Sequence, residues 1–181
     1  MTDCILDACC LINLCATNRF SDILQAQEGS FHVSAEVRGE ALAIYQPATD
    51  DAEKLVLTPI DLSPVVQSGM LKECKLERSA EMDSFVEFAV QLDDGEASCL
   101  AIAKSRGWCV ATDDKKAIRL ATAEGISVAT TPQIIKKWVD VVVPDSGEVA
   151  DVLFRIERFA KFRPHRTNIF FSWWASLTMS A

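Results

Sequence analysis

Apolar residues fall in short clusters separated by stretches with helical spacing. Cys4 to Asp7 reads as a short strand, Ala8 to Leu14 as the start of a helix, and Phe20 to Ala26 as a further helical turn or two. Phe31 to Val33 is a second strand candidate. Ser34 is a good N-cap and predicts a helix from Ala35 to about Tyr45, stopped by Pro47. Leu55 to Leu57 and Pro59 to Asp61 predict a third strand, and helical patterns follow over Pro64–Lys75, Ser79–Leu92 and Gly95–Ser105. Gly107 closes the last of these, as a C-terminal glycine does. Trp108 to Thr112 predicts a strand, Asp113 to Glu124 a helix stopped by Gly125, and Ile126 to Val128 a final strand. Strands separated by helices of about ten residues need crossover connections, which imply an α/β fold: a three-layer α/β/α domain around a mostly parallel sheet.

Composition narrows the class without changing it. The chain has 181 residues, 49% of them hydrophobic and 24% charged, which excludes disorder, collagen and a coiled-coil rod and suits one packed domain. No apolar run reaches the roughly 18 residues of a membrane-spanning helix. The opening Met-Thr-Asp-Cys-Ile-Leu-Asp carries acids and no basic leader, so it does not read as a signal peptide, and a cytoplasmic location is expected. Seven cysteines are an odd number, four of them (Cys4, Cys9, Cys10, Cys15) crowd the apolar N-terminus, and no pair shows zinc-knuckle spacing. They read as buried, reduced thiols.

Charge is uneven. Eighteen Lys and Arg stand against 26 Asp and Glu, a net of −8, yet residues 151–181 carry five bases and two acids. There Phe154-Arg-Ile-Glu-Arg-Phe-Ala-Lys-Phe-Arg163 interleaves aromatics with bases, and Phe170, Phe171, Trp173 and Trp174 follow. Two readings stand open: an amphipathic helix with a core-facing aromatic stripe, or a basic-aromatic surface for RNA or a partner chain.

Acids recur where strands of a parallel sheet end, the edge at which ligands collect. Asp7 closes the first strand, Glu96 opens a helix after Asp93-Asp94-Gly95, and Asp113 and Asp114 follow the strand 108–112. Glu36 and Glu40 lie one helical turn apart after the strand 31–33. Each has an ordinary alternative as a helix cap, a dipole partner or a solvated acid. Gathered at one edge, they would repel one another and call for a hard divalent cation with oxygen ligands, Mg²⁺ or Mn²⁺.

These residues resemble a known family. Asp7-Ala-Cys-Cys-Leu-Ile-Asn-Leu14 is similar to the opening of PIN domains. Val33-Ser-Ala-Glu-Val-Arg-Gly-Glu40 resembles their second motif, with Glu40 the match by spacing and Glu36 second. Leu92-Asp-Asp-Gly-Glu-Ala97 resembles the third and points to Glu96, and Ala111-Thr-Asp-Asp-Lys-Lys-Ala-Ile-Arg-Leu-Ala121 resembles the fourth. The resemblance covers about residues 3–138 and implies a five-stranded parallel sheet and a Mg²⁺ or Mn²⁺ site of Asp7, Glu40, Glu96 and Asp113 or Asp114. It also implies ribonuclease activity on single-stranded RNA, as in VapC-like members silenced by a small antitoxin; homodimers are common among such relatives. Two positions depart from the pattern: Cys9 stands where many relatives have Ser or Asn, and Lys115-Lys116-Ala117 where many toxins have Asp-Phe.

On this reading the domain spans residues 1–140, and 141–181 form a helical extension, packed on it or binding a partner. The acids hold the ions that activate water for in-line attack on phosphorus, leaving a 5′-phosphate and a 3′-hydroxyl. Lys115, Lys116, Arg119 and the basic tail are candidate phosphate contacts, with Thr112 either an RNA contact or a group that orients a carboxylate or water. The rival reading is a non-catalytic module of the same fold that binds protein or RNA. A receiver-type phosphotransfer domain fits less well, because the first strand ends in a single acid.

Overall fold

The structure, a computed structural model, describes residues 3–51 and 53–178. Met1 and Thr2 of the N-terminal reading, and residues 179–181 of the proposed extension, lie outside the described residues.

Five short strands form one parallel sheet: β1 (Cys4–Leu6), β2 (Phe31–Ser34), β5 (Leu71–Cys74), β6 (Cys109–Ala111) and β7 (Ser127–Ala129), in the order β5-β2-β1-β6-β7. The register pairs Ile5 with both His32 and Val110, so β1 lies at the centre. Its three residues, and those of β6, are buried, as expected of parallel strands covered on both faces. The chain runs outward from β1 through β2 to β5, then returns to the other side of β1 as β6. That reversal leaves a crevice at the carboxyl ends of β1 and β6, the usual binding edge of open parallel sheets.

One covering layer is built on α6 (Asp94–Arg106), which lies against β1, β2 and β6. Every residue from Ala97 to Ala103 is buried, so the helix is apolar all round and runs through the interior. Packed on it are α3 (Ala35–Gly39), α5 (Ser79–Ala89) and α7 (Lys115–Ala123). The other layer groups α1 (Ala8–Ala16), α2 (Phe20–Gln25) and α8 (Thr131–Val142). A three-layer α/β/α domain with a five-stranded parallel sheet is what the hydrophobic pattern and the family resemblance predict.

Two predicted helices are corrected. The helix expected over 35–45 stops at Gly39, and Ala43–Pro47 instead form β3, paired antiparallel with β4 (Leu55–Pro59) as a separate two-stranded sheet. The reason is the switch from helical spacing to alternation: Leu42 and Ile44 are buried while Ala41, Ala43 and Tyr45 are more exposed. The predicted third strand therefore lies outside the main sheet. The helix expected over 64–75 is only α4 (Ser63–Gln67); Gly69, at φ +77°, turns the chain, and Leu71–Cys74 form the edge strand β5.

Past residue 140, α9 (Ser146–Arg155) continues into a π-helical turn (Ile156–Ala160), and α10 (Phe171–Thr178) packs back on α9. Leu153, Ile156 and Trp174 are fully buried in the same core cluster as Ile5 and Leu100. All seven cysteines are free thiols.

Candidate functional site

The carboxyl edge of β1 is built around Asp7. Its side chain caps α1 by accepting from the Ala8 amide at 2.7 Å, and its other oxygen accepts from Thr112 Oγ1 at 2.8 Å and Cys9 Sγ at 3.0 Å. Thr112, directly after β6, also accepts from the Asp114 amide at 3.1 Å. One hydroxyl thus fixes acids from two adjacent strands. Thr112 is fully buried, with its hydroxyl engaged in these hydrogen bonds.

Glu96 sits in the first turn of α6, where Asp93 caps the helix by accepting from the Glu96 amide at 2.8 Å. Glu40 closes α3, whose N-cap Ser34 accepts from the Val37 amide. The fully buried Ser98 donates to Ser34 Oγ and the Gly95 carbonyl, both at 2.8 Å, and so ties α6 to the end of β2. The Glu40 carboxylate lies over Gly95, in space that a β-carbon there would fill.

Electrostatics give the same grouping. Burial, followed by the charges of Asp93, Asp114 and Asp7, pushes Glu96 up to about 7. Burial, then Asp93 and Asp7, raises Glu40. Asp7 is also raised, chiefly by burial, with Asp93 adding to it against hydrogen bonds that pull the other way. Of the predicted acids, the structure therefore gathers Asp7, Glu40, Glu96 and Asp114. Asp93 completes the group and was missed as a member, although the Asp-x-x-Glu spacing from Asp93 to Glu96 is itself a helix-start signature. Glu36 stands beside them in a cavity of about 550 Å³ lined by Glu40, Asp93, Asp94 and Gly95, and its Oε2 is buried without a hydrogen-bond partner.

The consecutive pair after β6 splits. Asp114 caps α7, accepting from the Lys116 and Ala117 amides, and its charge acts on Glu96. Asp113 turns away into a buried network, accepting from Asn13 Nδ2 at 3.1 Å, Cys10 Sγ at 3.2 Å, the Thr131 amide at 3.0 Å and the Thr131 hydroxyl. Burial raises its pKa against those hydrogen bonds. Cys9 joins the two halves: it donates to Asp7, and its sulfur accepts from the Asp113 amide at 3.2 Å. The metal-binding potential of Cys9, Cys10 and Asp113, whose ligand atoms lie within 4.8 Å of one another, was not anticipated, since the thiols read as packing. Lys115 and Arg119 are exposed on α7, whereas the Lys116 ammonium binds the Gln91 carbonyl.

A parallel α/β/α sheet with acids from four segments at its switch point defines a class of domain. The chain belongs to the PIN domain family: the family described as DUF3368: PIN domain matches residues 3–165, most of its length. No curated protein and no solved structure gives a significant match. Among the described residues, no helix is long and apolar enough to cross a membrane.

Proposed function

We propose that the chain is a Mg²⁺- or Mn²⁺-dependent ribonuclease that hydrolyses phosphodiester bonds of single-stranded RNA. The observation that carries this reading is the convergence of Asp7, Glu40, Asp93, Glu96 and Asp114; burial first, and then the charges of Asp93, Asp114 and Asp7, raise Glu96 to about 7. Like charges so close destabilise the fold unless a cation joins them. The donor set fits a hard ion: it is all carboxylate oxygen, and the buried Glu36 Oε2 lacks a partner at its flank. Asp7, Glu96 and Asp114 would hold the ion, with Glu40 and Asp93 completing the negative rim. When bound, a divalent cation supplies charge for the developing negative phosphate oxygens and lowers the pKa of water.

The chain's own residues do the positioning. Thr112 locks the Asp7 carboxylate and the Asp114 backbone in one arrangement, and the α6 first turn holds Glu96 against them. Lys115 and Arg119, exposed on the helix that Asp114 caps, are placed to meet RNA phosphates and offset the long-range repulsion of a chain with net charge −8.

The test is Asp7→Asn. Asparagine keeps the N-cap, so the variant folds, while Mn²⁺-dependent cleavage of a single-stranded RNA falls about 100-fold or more. Wild-type cleavage by Asp7→Asn would overturn the reading.

A further inference from the structure

We propose that Cys9, Cys10 and Asp113 form a second cation site, selective for a soft divalent ion of the Zn²⁺ class and adjoining the oxygen-lined cluster. Three observations lead there. The three ligand atoms already lie within 4.8 Å of one another, and Cys10 Sγ is 3.2 Å from Asp113 Oδ2. Two thiolates on a tetrahedral zinc with bonds of about 2.3 Å stand about 3.8 Å apart, so modest movement closes the site. Access is the second point: Cys9 is half-buried beside the acidic mouth, while Cys10 and the Asp113 carboxylate form the deeper wall.

The third is charge balance. Each thiol proton bridges to a carboxylate, Cys9 to Asp7 and Cys10 to Asp113. When one divalent ion enters, two S–H bonds break, two metal–sulfur bonds form, and two protons leave to solvent. The buried charge is unchanged by the exchange, so the penalty that usually opposes ion burial is largely absent. Asn13 and the Thr131 amide stay on Asp113 and hold it as a ligand, the outer support that metal sites require. Thiolate ligands favour zinc over magnesium, whereas the oxygen cluster has the opposite bias.

The two sites are joined by the Cys9–Asp7 hydrogen bond. Loss of the Cys9 proton removes that donor, and Asp7 Oδ2, 3.0 Å from the sulfur, is the nearest oxygen for the fourth position. Loading with zinc therefore draws Asp7 from the oxygen cluster and switches RNA cleavage off. That consequence, unlike the binding, rests on the ribonuclease reading.

The experiment titrates Co²⁺ into the reduced, metal-free full chain and follows thiolate-to-cobalt charge-transfer absorption. One equivalent produces the band, Zn²⁺ abolishes it, and excess Mg²⁺ does not. Cys9→Ala and Asp113→Asn lose the band, Cys15→Ala and Cys74→Ala keep it, and Asn13→Ala weakens Co²⁺ affinity about 10–100-fold. A wild-type readout guards against variants that misfold: Zn²⁺, but not Mg²⁺, shields Cys9 from thiol alkylation mapped by mass spectrometry. No band, or a band that survives in Cys9→Ala, overturns the site. In the activity arm, Zn²⁺ added at constant Mn²⁺ inhibits the wild type, and the inhibition disappears in Cys10→Ala. A thiolate band on a chain that cleaves no RNA under any condition leaves the soft-metal site standing and overturns the nuclease reading alone.

Discussion

At the scale of single residues, the acidic mouth depends on one missing side chain. Gly95 leaves the space over the first turn of α6 that the Glu40 carboxylate fills. Gly95→Ala should push that carboxylate aside and press on the buried Val37, whose Cγ2 lies 3.3 Å from where the new β-carbon would stand. The expected outcome is a folded protein with a weaker Mn²⁺ isotherm by calorimetry. Unchanged Mn²⁺ affinity would show that Glu40 is not part of the metal's surroundings. Glu96 carries the cost of the cluster. Its folded pKa of about 7 lies above the ordinary 4.5, so the folded state holds more protons between those values and stability falls as pH rises through that window. Glu96→Gln should therefore stabilise the metal-free protein above neutrality by about 1–2 kcal/mol after solvent screening, and change little below pH ~4.5, as read from denaturant melts.

At the scale of elements, what the sequence shows depends on how many side chains of an element reach the core. Asp7, Glu96 and Asp114 were legible because each follows a strongly patterned strand or opens a strongly patterned helix, where position and chemistry are fixed together. β5 was not, because an edge strand buries only Leu71 fully and exposes Lys72 and Glu73, leaving no alternation to read. The split of Asp113 from Asp114 was equally hidden, since it is made by Asn13, 100 residues before Asp113, and Thr131, 18 residues after it. A long-range pair of the same kind clamps α5 to α6: the fully buried Glu81 accepts from Arg106 Nε at 2.7 Å and from the Glu77 and Arg78 amides. Burial alone would raise Glu81, but Arg106 and these amides outweigh it and hold the carboxyl at about 2. Being depressed, it contributes stability that is complete above about 4.5 and is lost as pH falls toward 2. Arg106→Ala removes the closest cation from a buried carboxylate, leaving it two backbone amides and Arg78 at 3.9 Å, and should cost about 3 kcal/mol in urea melts at neutral pH. Its deficit should shrink in acid, where the wild type loses the same interaction.

For the molecule as a whole, the question is whether the basic, aromatic tail is a free surface or part of the fold. Its bases lie over its rings: Arg155 over Phe159, Arg158 over Phe154, Arg163 over Phe171, and Lys136 of α8 over Trp173. Such pairs occupy faces that would otherwise stack on nucleobases. Trp174 is fully buried against the core, and its indole donates to Glu157 at 2.8 Å, which Arg163 in turn engages at 3.3 Å. The family match ends at residue 165, so α10 lies beyond the shared domain yet closes the same core that α9 begins. If α10 is structural, Trp174→Ala should cost about 3–5 kcal/mol, the range for emptying a large aromatic site, with Mn²⁺ affinity at the distant oxygen cluster unchanged once the protein is folded. Truncation after residue 165 should do more, because it uncovers Leu153 and Ile156, and should appear as a lower melting temperature with dye-binding apolar surface at ordinary temperature. A truncated chain that melts like the full one would show that this helix serves a partner and adds nothing to the domain's own stability.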